Sequence, residues 1–311
     1  MGGTVERMKR VMMSGAASVT VIATALLVLG SCSAPAPIPT ASPSQPLATE
    51  VDTADPTVLV GQWRVTSADG TGPDSWLRLG VELDVWSDCG HASGSWRAVG
   101  AAFLASVYGS SFPAGSTGDP YSCLDEPRFG QPSASLRWLW SAASYEVLDD
   151  GIALTDVDGE LVALLVDDGS SPPSENALDP RPPVLTPELA EHLAAPAALP
   201  GGVMPIRDLV GRWLPTDRTE QSDTAFLEFR EDGAWSGSDG CNSGSGRWVS
   251  GDASLFMATR GPQTMAGCEN SNAMGWLHGV TRAGTIGEEL VLFNSAGERL
   301  GSLVREDPFD L

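Results

Sequence analysis

The residues of this 311-residue chain best suited to chemistry are its three histidines and five cysteines. His91 stands two places after Cys89, with Asp88 just before that cysteine. These are ligand types that a divalent metal accepts. No second histidine is close by, and the matching stretch farther along has Ser243 at the corresponding place. The set is therefore read as a surface histidine beside a structural cysteine, with no metal. His278 falls in a stretch of helical pattern and reads as an ordinary helix residue rather than a general base. A serine hydrolase would want Gly-x-Ser-x-Gly. Gly90-His91-Ala92-Ser93-Gly94 and Gly240-Cys241-Asn242-Ser243-Gly244 both misplace the serine. Asp156-x-Asp158-Gly159-Glu160 lacks the rest of a calcium loop and reads as a polar hairpin turn. Lys9 is the only lysine, so mechanisms that need one, such as a P-loop or a Schiff base, lack their key group. No catalytic residue, metal or cofactor is expected.

Cys32 carries a different chemistry. Arg7, Lys9 and Arg10 precede an uncharged apolar run from Ala16 to Leu29. A basic segment, a short apolar stretch and small residues make a secretory signal. The run is shorter than the roughly 20 residues that span a bilayer. It ends at Leu29-Gly30-Ser31-Cys32, which resembles the bacterial lipobox. That resemblance implies cleavage before Cys32, lipid (palmitate) on its sulfur, and a place at the extracytoplasmic face of the cell membrane. The Pro-, Ala- and Ser-rich stretch that follows reads as a tether.

The formal charge is -22. A surface this acidic repels phosphate backbones, which excludes nucleic acid as a partner.

The elements that would position these residues occur twice. Leu59-Val60-Gly61-Gln62-Trp63 returns as Leu209-Val210-Gly211-Arg212-Trp213. Cys89, Gly94 and Trp96 return at the same mutual spacing as Cys241, Gly246 and Trp248. Each copy has one further cysteine, Cys123 or Cys268. Four cysteines in an exported chain read as disulfides. The repeat favours Cys89 with Cys123 and Cys241 with Cys268, separations of 34 and 27 residues. Asp-Gly turn signals at Asp69, Asp150, Asp158, Asp232 and Asp239 separate short runs of β-pattern, the signature of a sandwich or barrel. A helix is expected around Asn272 to Val280, with Met274 and Leu277 inward. Another could start at Thr186-Pro187-Glu188 and run through His192, with Thr as N-cap and Pro at the first helical position. Trp138-Leu139-Trp140, read as a strand, would place both indoles on one face. With Trp235 they are the candidates for a ligand-binding aromatic lining.

The second copy resembles the META domain of HslJ-like lipoproteins. The resemblance rests on Leu209-Val210-Gly211-Arg212-Trp213, Gly240-Cys241-Asn242, Gly246-Arg247-Trp248 and Thr264-Met265-Ala266-Gly267-Cys268. In the last motif, Met and Ala sit one place early. The first copy reads as a degenerate META-like repeat, on the strength of the internal match. The expected organisation is a signal peptide over 1–31, a disordered tether over 32–56, a divergent META-like domain over 57–166, a Pro-rich linker over 167–205, a META domain over 206–305 and a tail over 306–311. The resemblance implies a mainly-β fold, with a small lipocalin-like barrel and one short helix in each copy. It also implies an envelope location loosely tied to envelope stress. The expected function is a lipid-anchored, non-enzymatic module with a binding or structural role, in contact with an apolar small molecule, a wall component or an envelope protein. The alternative is an envelope hydrolase with a dispersed site.

Overall fold

The computed structural model describes residues 54–66, 75–87, 90–111, 136–170, 181–206, 208–267 and 270–306. The signal segment, Cys32 and most of the tether lie outside them. Among the described residues, no helix is long and apolar enough to cross a membrane. The chain from Glu50 to Leu311 forms one compact unit, and within it the fold is mainly β.

The first half is a closed, antiparallel, eight-stranded barrel whose strands pair in chain order. They are β1 (Gly61–Thr66), β2 (Trp76–Leu79), β3 (Leu83–Ser87), β4 (Gly90–Val99), β5 (Ala102–Ser111), β6 (Ser144–Leu148), β7 (Gly151–Thr155) and β8 (Leu161–Val166). A short helix, α1 (Arg137–Ser141), enters between β5 and β6. Where it enters, the sheet is thinnest, because β5 and β6 share the single pair Ala102 with Ser144.

The second half repeats this plan with β10 (Gly211–Pro215), β11 (Phe226–Phe229), β12 (Ala234–Ser238), β13 (Ser243–Ser250), β14 (Phe256–Ala258), α3 (Ala273–Gly279), β15 (Arg282–Ile286), β16 (Glu289–Phe293) and β17 (Arg299–Arg305). These belong to a nine-stranded sheet whose ninth member is β9 (Met204–Pro205), paired to β15. The sheet curls until β14 meets β15 through one bridge, Leu255 with Arg282. That joint lies where α3 enters, as α1 does in the first half.

Local physics explains the recurring residues. Trp63 Nε1 donates to the Leu59 carbonyl at 2.9 Å, and Trp213 Nε1 to the Leu209 carbonyl at 2.8 Å. Trp96 Nε1 donates to Gly80 at 2.8 Å and Trp248 Nε1 to Arg230 at 3.1 Å. Gly80 follows β2 and Arg230 follows β11, so each indole ties its own strand to the end of the corresponding one. Gly94 and Gly246 share a steric cause. A Cβ on Gly94 would lie 2.1 Å from the Ser106 carbonyl oxygen, and one on Gly246 would lie 2.1 Å from that of Thr259.

The segment between the halves is packed where it is described. Thr186 accepts a hydrogen bond from the Leu189 amide and caps α2 (Pro187–His192). Leu189 and Leu193 are buried in the core of the first barrel. Farther on, the Ala197 amide donates to Ser295 at 2.8 Å, and Arg282 Nε donates to the Ala197 carbonyl. The segment therefore binds the first barrel with its helix and the second sheet with its end.

Strand alternation builds the seam between the halves. Trp96 and Phe103 point into the first core. Their neighbours Arg97, Val99 and Leu104 point out. Val99 and Leu104 pack with Met257 of β14 in a small apolar cluster of their own. Polar bonds flank it. Ser95 and Ser106 hydroxyls donate to the Arg260 carbonyl at 2.8 and 2.6 Å, and Arg247 Nη1 donates to the Ala105 carbonyl at 3.1 Å.

Candidate functional site

The second-half motif Gly240-Cys241-Asn242 is a loop lock. Gly240 has φ +97°, a left-handed conformation that glycine adopts without penalty, and a Cβ there would strike Ser222 at 2.6 Å. Asp239, 6% exposed, accepts from the amides of Cys241 and Asn242 and from the side-chain amides of Asn242 and Asn270. Burial alone would raise its pKa, but these donors hold it below the usual carboxylate value. Asn242 then grips Ala266 on both sides. Its Nδ2 donates to the Ala266 carbonyl at 3.1 Å, and its Oδ1 accepts from the Ala266 amide at 2.5 Å. Thr264 Oγ1 accepts from the Ser243 amide at 2.9 Å. The Gly-Cys-Asn and Thr…Cys elements are thus two loops held together, with Met265 94% exposed at the tip.

The expected site residues fall as follows. Cys89, Cys123 and Cys268 lie outside the described residues, as does Asp88. His91 is not a surface residue. Its Nε2 sits 2.9 Å from Asp84 Oδ1, and its ring stacks on Trp86 at 5.1 Å. Among the described residues, no cluster of His, Cys, Asp and Glu could hold a metal. Asp156 Oδ1 accepts from the amides of Asp158 and Glu160, closing the turn that the sequence pattern indicates.

Trp138 and Trp140 are not on a strand. They belong to α1, where residues two apart diverge by about 200°. Trp138 is 3% exposed and packs into the first core. Trp140 lies beneath the Arg247 guanidinium, 4.5 Å from its ring centroid. Trp235 is 1% exposed, and its Nε1 donates to the Thr259 carbonyl. The aromatics that looked like a ligand lining are one core residue in each half and one brace across the seam.

A cavity of about 230 Å³ does open, at that seam. Its walls include Ser95, Trp96 and Arg97 of β4, Glu188, Leu189 and His192 of α2, Ala258 to Arg260 around β14, and His278 of α3. Arg97 is 3% exposed and reaches across to the second half. Nη1 donates to the His278 carbonyl at 2.5 Å, and Nη2 donates to the Val280 carbonyl at 3.0 Å. The ring nitrogens of His192 lie 2.6 and 3.0 Å from Nη1. An imidazole facing a guanidinium at that distance must be neutral and accept. Burial, and then the Arg97 charge, push the His192 pKa down to about 3. Burial, and then the charges of Arg260 and Arg97, push His278 down to about 4. Burial brings Arg97 itself down to about 10, which leaves it cationic at neutral pH.

His278 and His192 were read as helix residues, and Arg97 and Arg260 carried no functional reading. The available signal was Arg97 itself, a lone charge in Trp96-Arg97-Ala98-Val99, where the strand is otherwise apolar.

Neither a curated protein nor a solved structure matches the chain. The META domain family model matches residues 209–307. This span begins at the Leu209 that receives the Trp213 indole and takes in both locked loops, α3 and β15 to β17. The chain carries a META domain in its second half.

Proposed function

We propose that this protein is a lipid-anchored, extracytoplasmic, non-enzymatic binding protein whose ligand sits at the seam between two β-modules. The observation that carries the reading is the seam cavity, walled by both halves and by α2. A cavity with a few convergent polar groups between packed modules is the common form of a small-ligand site. The same reading takes the two halves as copies of one module. Four shared features support this: the paired indole hydrogen bonds, the two glycines under the same carbonyl contact, the helix at the same joint, and the meeting of the corresponding strands at the seam.

The anchor rests on Leu29-Gly30-Ser31-Cys32 and the basic-apolar segment before it. The disulfides belong to this reading too. The spacing of the repeat supports Cys89 with Cys123 and Cys241 with Cys268. Native mass spectrometry of the protein released from its own membrane tests the binding role. The expected result is a retained small molecule, lost on denaturation. Bare lipidated polypeptide in every preparation would speak against it.

A further inference from the structure

The chain is strongly acidic, yet two arginines, Arg97 and Arg260, line the seam cavity with the neutral imidazoles of His192 and His278, against one carboxylate, Glu188. Arg97 is the unusual member. Its charge is buried, and its partners are two carbonyls and a neutral imidazole. Among the described residues no carboxylate pairs with it. Its Nε has no hydrogen-bond partner among them either. A buried cation held only by dipoles carries a desolvation cost that a counter-anion offsets. Arg260 is held by a half-exposed pair with Glu82 at 3.5 Å, while its main chain is fixed by Ser95 and Ser106. Arg260 lines the cavity, and among the described residues this partly exposed carboxylate is the ion-pair partner of its guanidinium. His278 gives its carbonyl to Arg97 and is one of the residues that line the cavity. A neutral imidazole there supplies an N–H donor.

We propose that the seam cavity binds a small oxyanion, a phosphate or carboxylate group, in the field of Arg97 with direct contacts from Arg260 and His278. The proposal deepens the binding function above and rests on it. The space suits this class of ligand. About 230 Å³ holds several atoms of water's size, given that a water takes roughly 30 Å³. Guanidinium donors make charge-assisted hydrogen bonds to an oxyanion, the stronger kind.

The test is hydrogen–deuterium exchange with thermal denaturation on the full-length protein. Inorganic phosphate and acetate serve as separate probes, each against chloride at equal ionic strength. The expected result is saturable slowing of exchange over residues 94–97, 187–193 and 277–281, together with a rise in Tm, for at least one of the two. The probe that acts tells phosphate from carboxylate. Arg260→Ala should weaken that probe about tenfold or more, as the loss of a charge-assisted contact implies. Arg260→Lys should recover part of it. The proposal is overturned if phosphate and acetate behave as chloride does, or if they act equally on Arg260→Ala. If anions do nothing but a neutral molecule retained from the membrane protects the same peptides, the oxyanion class is wrong and the binding role stands. If no ligand of either kind protects them, both fail.

Discussion

Arg97 of the first barrel donates through Nη2 to the main-chain carbonyl of Val280 in the second half, at 3.0 Å. The acceptor is the residue that ends α3, where the chain turns into β15. A helix C-terminus presents carbonyls without partners of their own and favours a cation. The guanidinium supplies both, so one side chain closes a helix, joins two modules and charges the wall of the cavity between them.

The imidazoles at that wall make stability sensitive to acid. His192 and His278 have folded pKa values of about 3 and about 4. Their unfolded value is roughly 6.5. Between these limits the unfolded chain binds more protons, so stability falls as pH falls below about 6.5 and levels off only near the folded values. Urea denaturation at about pH 7 and about pH 5 should show the loss. His278→Gln should reduce the difference between the two pH values, because its ring titrates in that window.

The glycines of the repeat should respond alike. Gly94→Ala and Gly246→Ala each drive a Cβ to 2.1 Å from a cross-strand carbonyl oxygen. Each should cost about 1–3 kcal/mol or more, as overpacking does. Gly267→Ala, exposed and with open space around it, should change the denaturation midpoint little. Equal midpoints for all three would show that the glycines are not set by steric contact.

Asp239→Asn tests the loop lock. It keeps the shape but replaces a carboxylate oxygen with a donor facing the amides of Cys241, Asn242 and Asn270. The expected cost near neutral pH is about 1–3 kcal/mol. Asp239 has a depressed pKa, so its contribution is present above the unfolded carboxylate range and lost as pH falls through the folded value. Wild type and variant should converge in acid. Exchange should quicken first in the 264–267 loop.

Cys32→Ala should abolish palmitate labelling and release the protein from the membrane fraction. Labelling that persists would contradict the anchor.

How much of this could be seen in the residues depended on distance along the chain. The Trp63 and Trp213 hydrogen bonds reach only four residues, and their motif was visible. The Thr186 cap and the α3 stretch were legible because capping and amphipathic spacing are local. The family match over 209–307 came through short motifs that the loop lock explains. Trp138-Leu139-Trp140 misled because aromatic β-propensity is weaker than packing; Trp138 and Leu139 are buried together in the barrel core, and that fixes a helix. The seam was scarcely legible. Arg97 stands as a lone charge among apolar neighbours, but its partners lie 95 to 183 positions away. His91 looked like a surface residue because Asp84 and Trp86 reach it only through strand pairing of β3 with β4.

The central claim is that the two β-modules form one body closed by Arg97, since the cavity exists only while they are docked. Differential scanning calorimetry of the full-length protein against Arg97→Ala tests it most directly. The prediction is a single transition for the wild type, with calorimetric and van't Hoff enthalpies in agreement. In the variant it should be lowered and split in two, one transition for each module. Two independent transitions in the wild type, unchanged by Arg97→Ala, would contradict it.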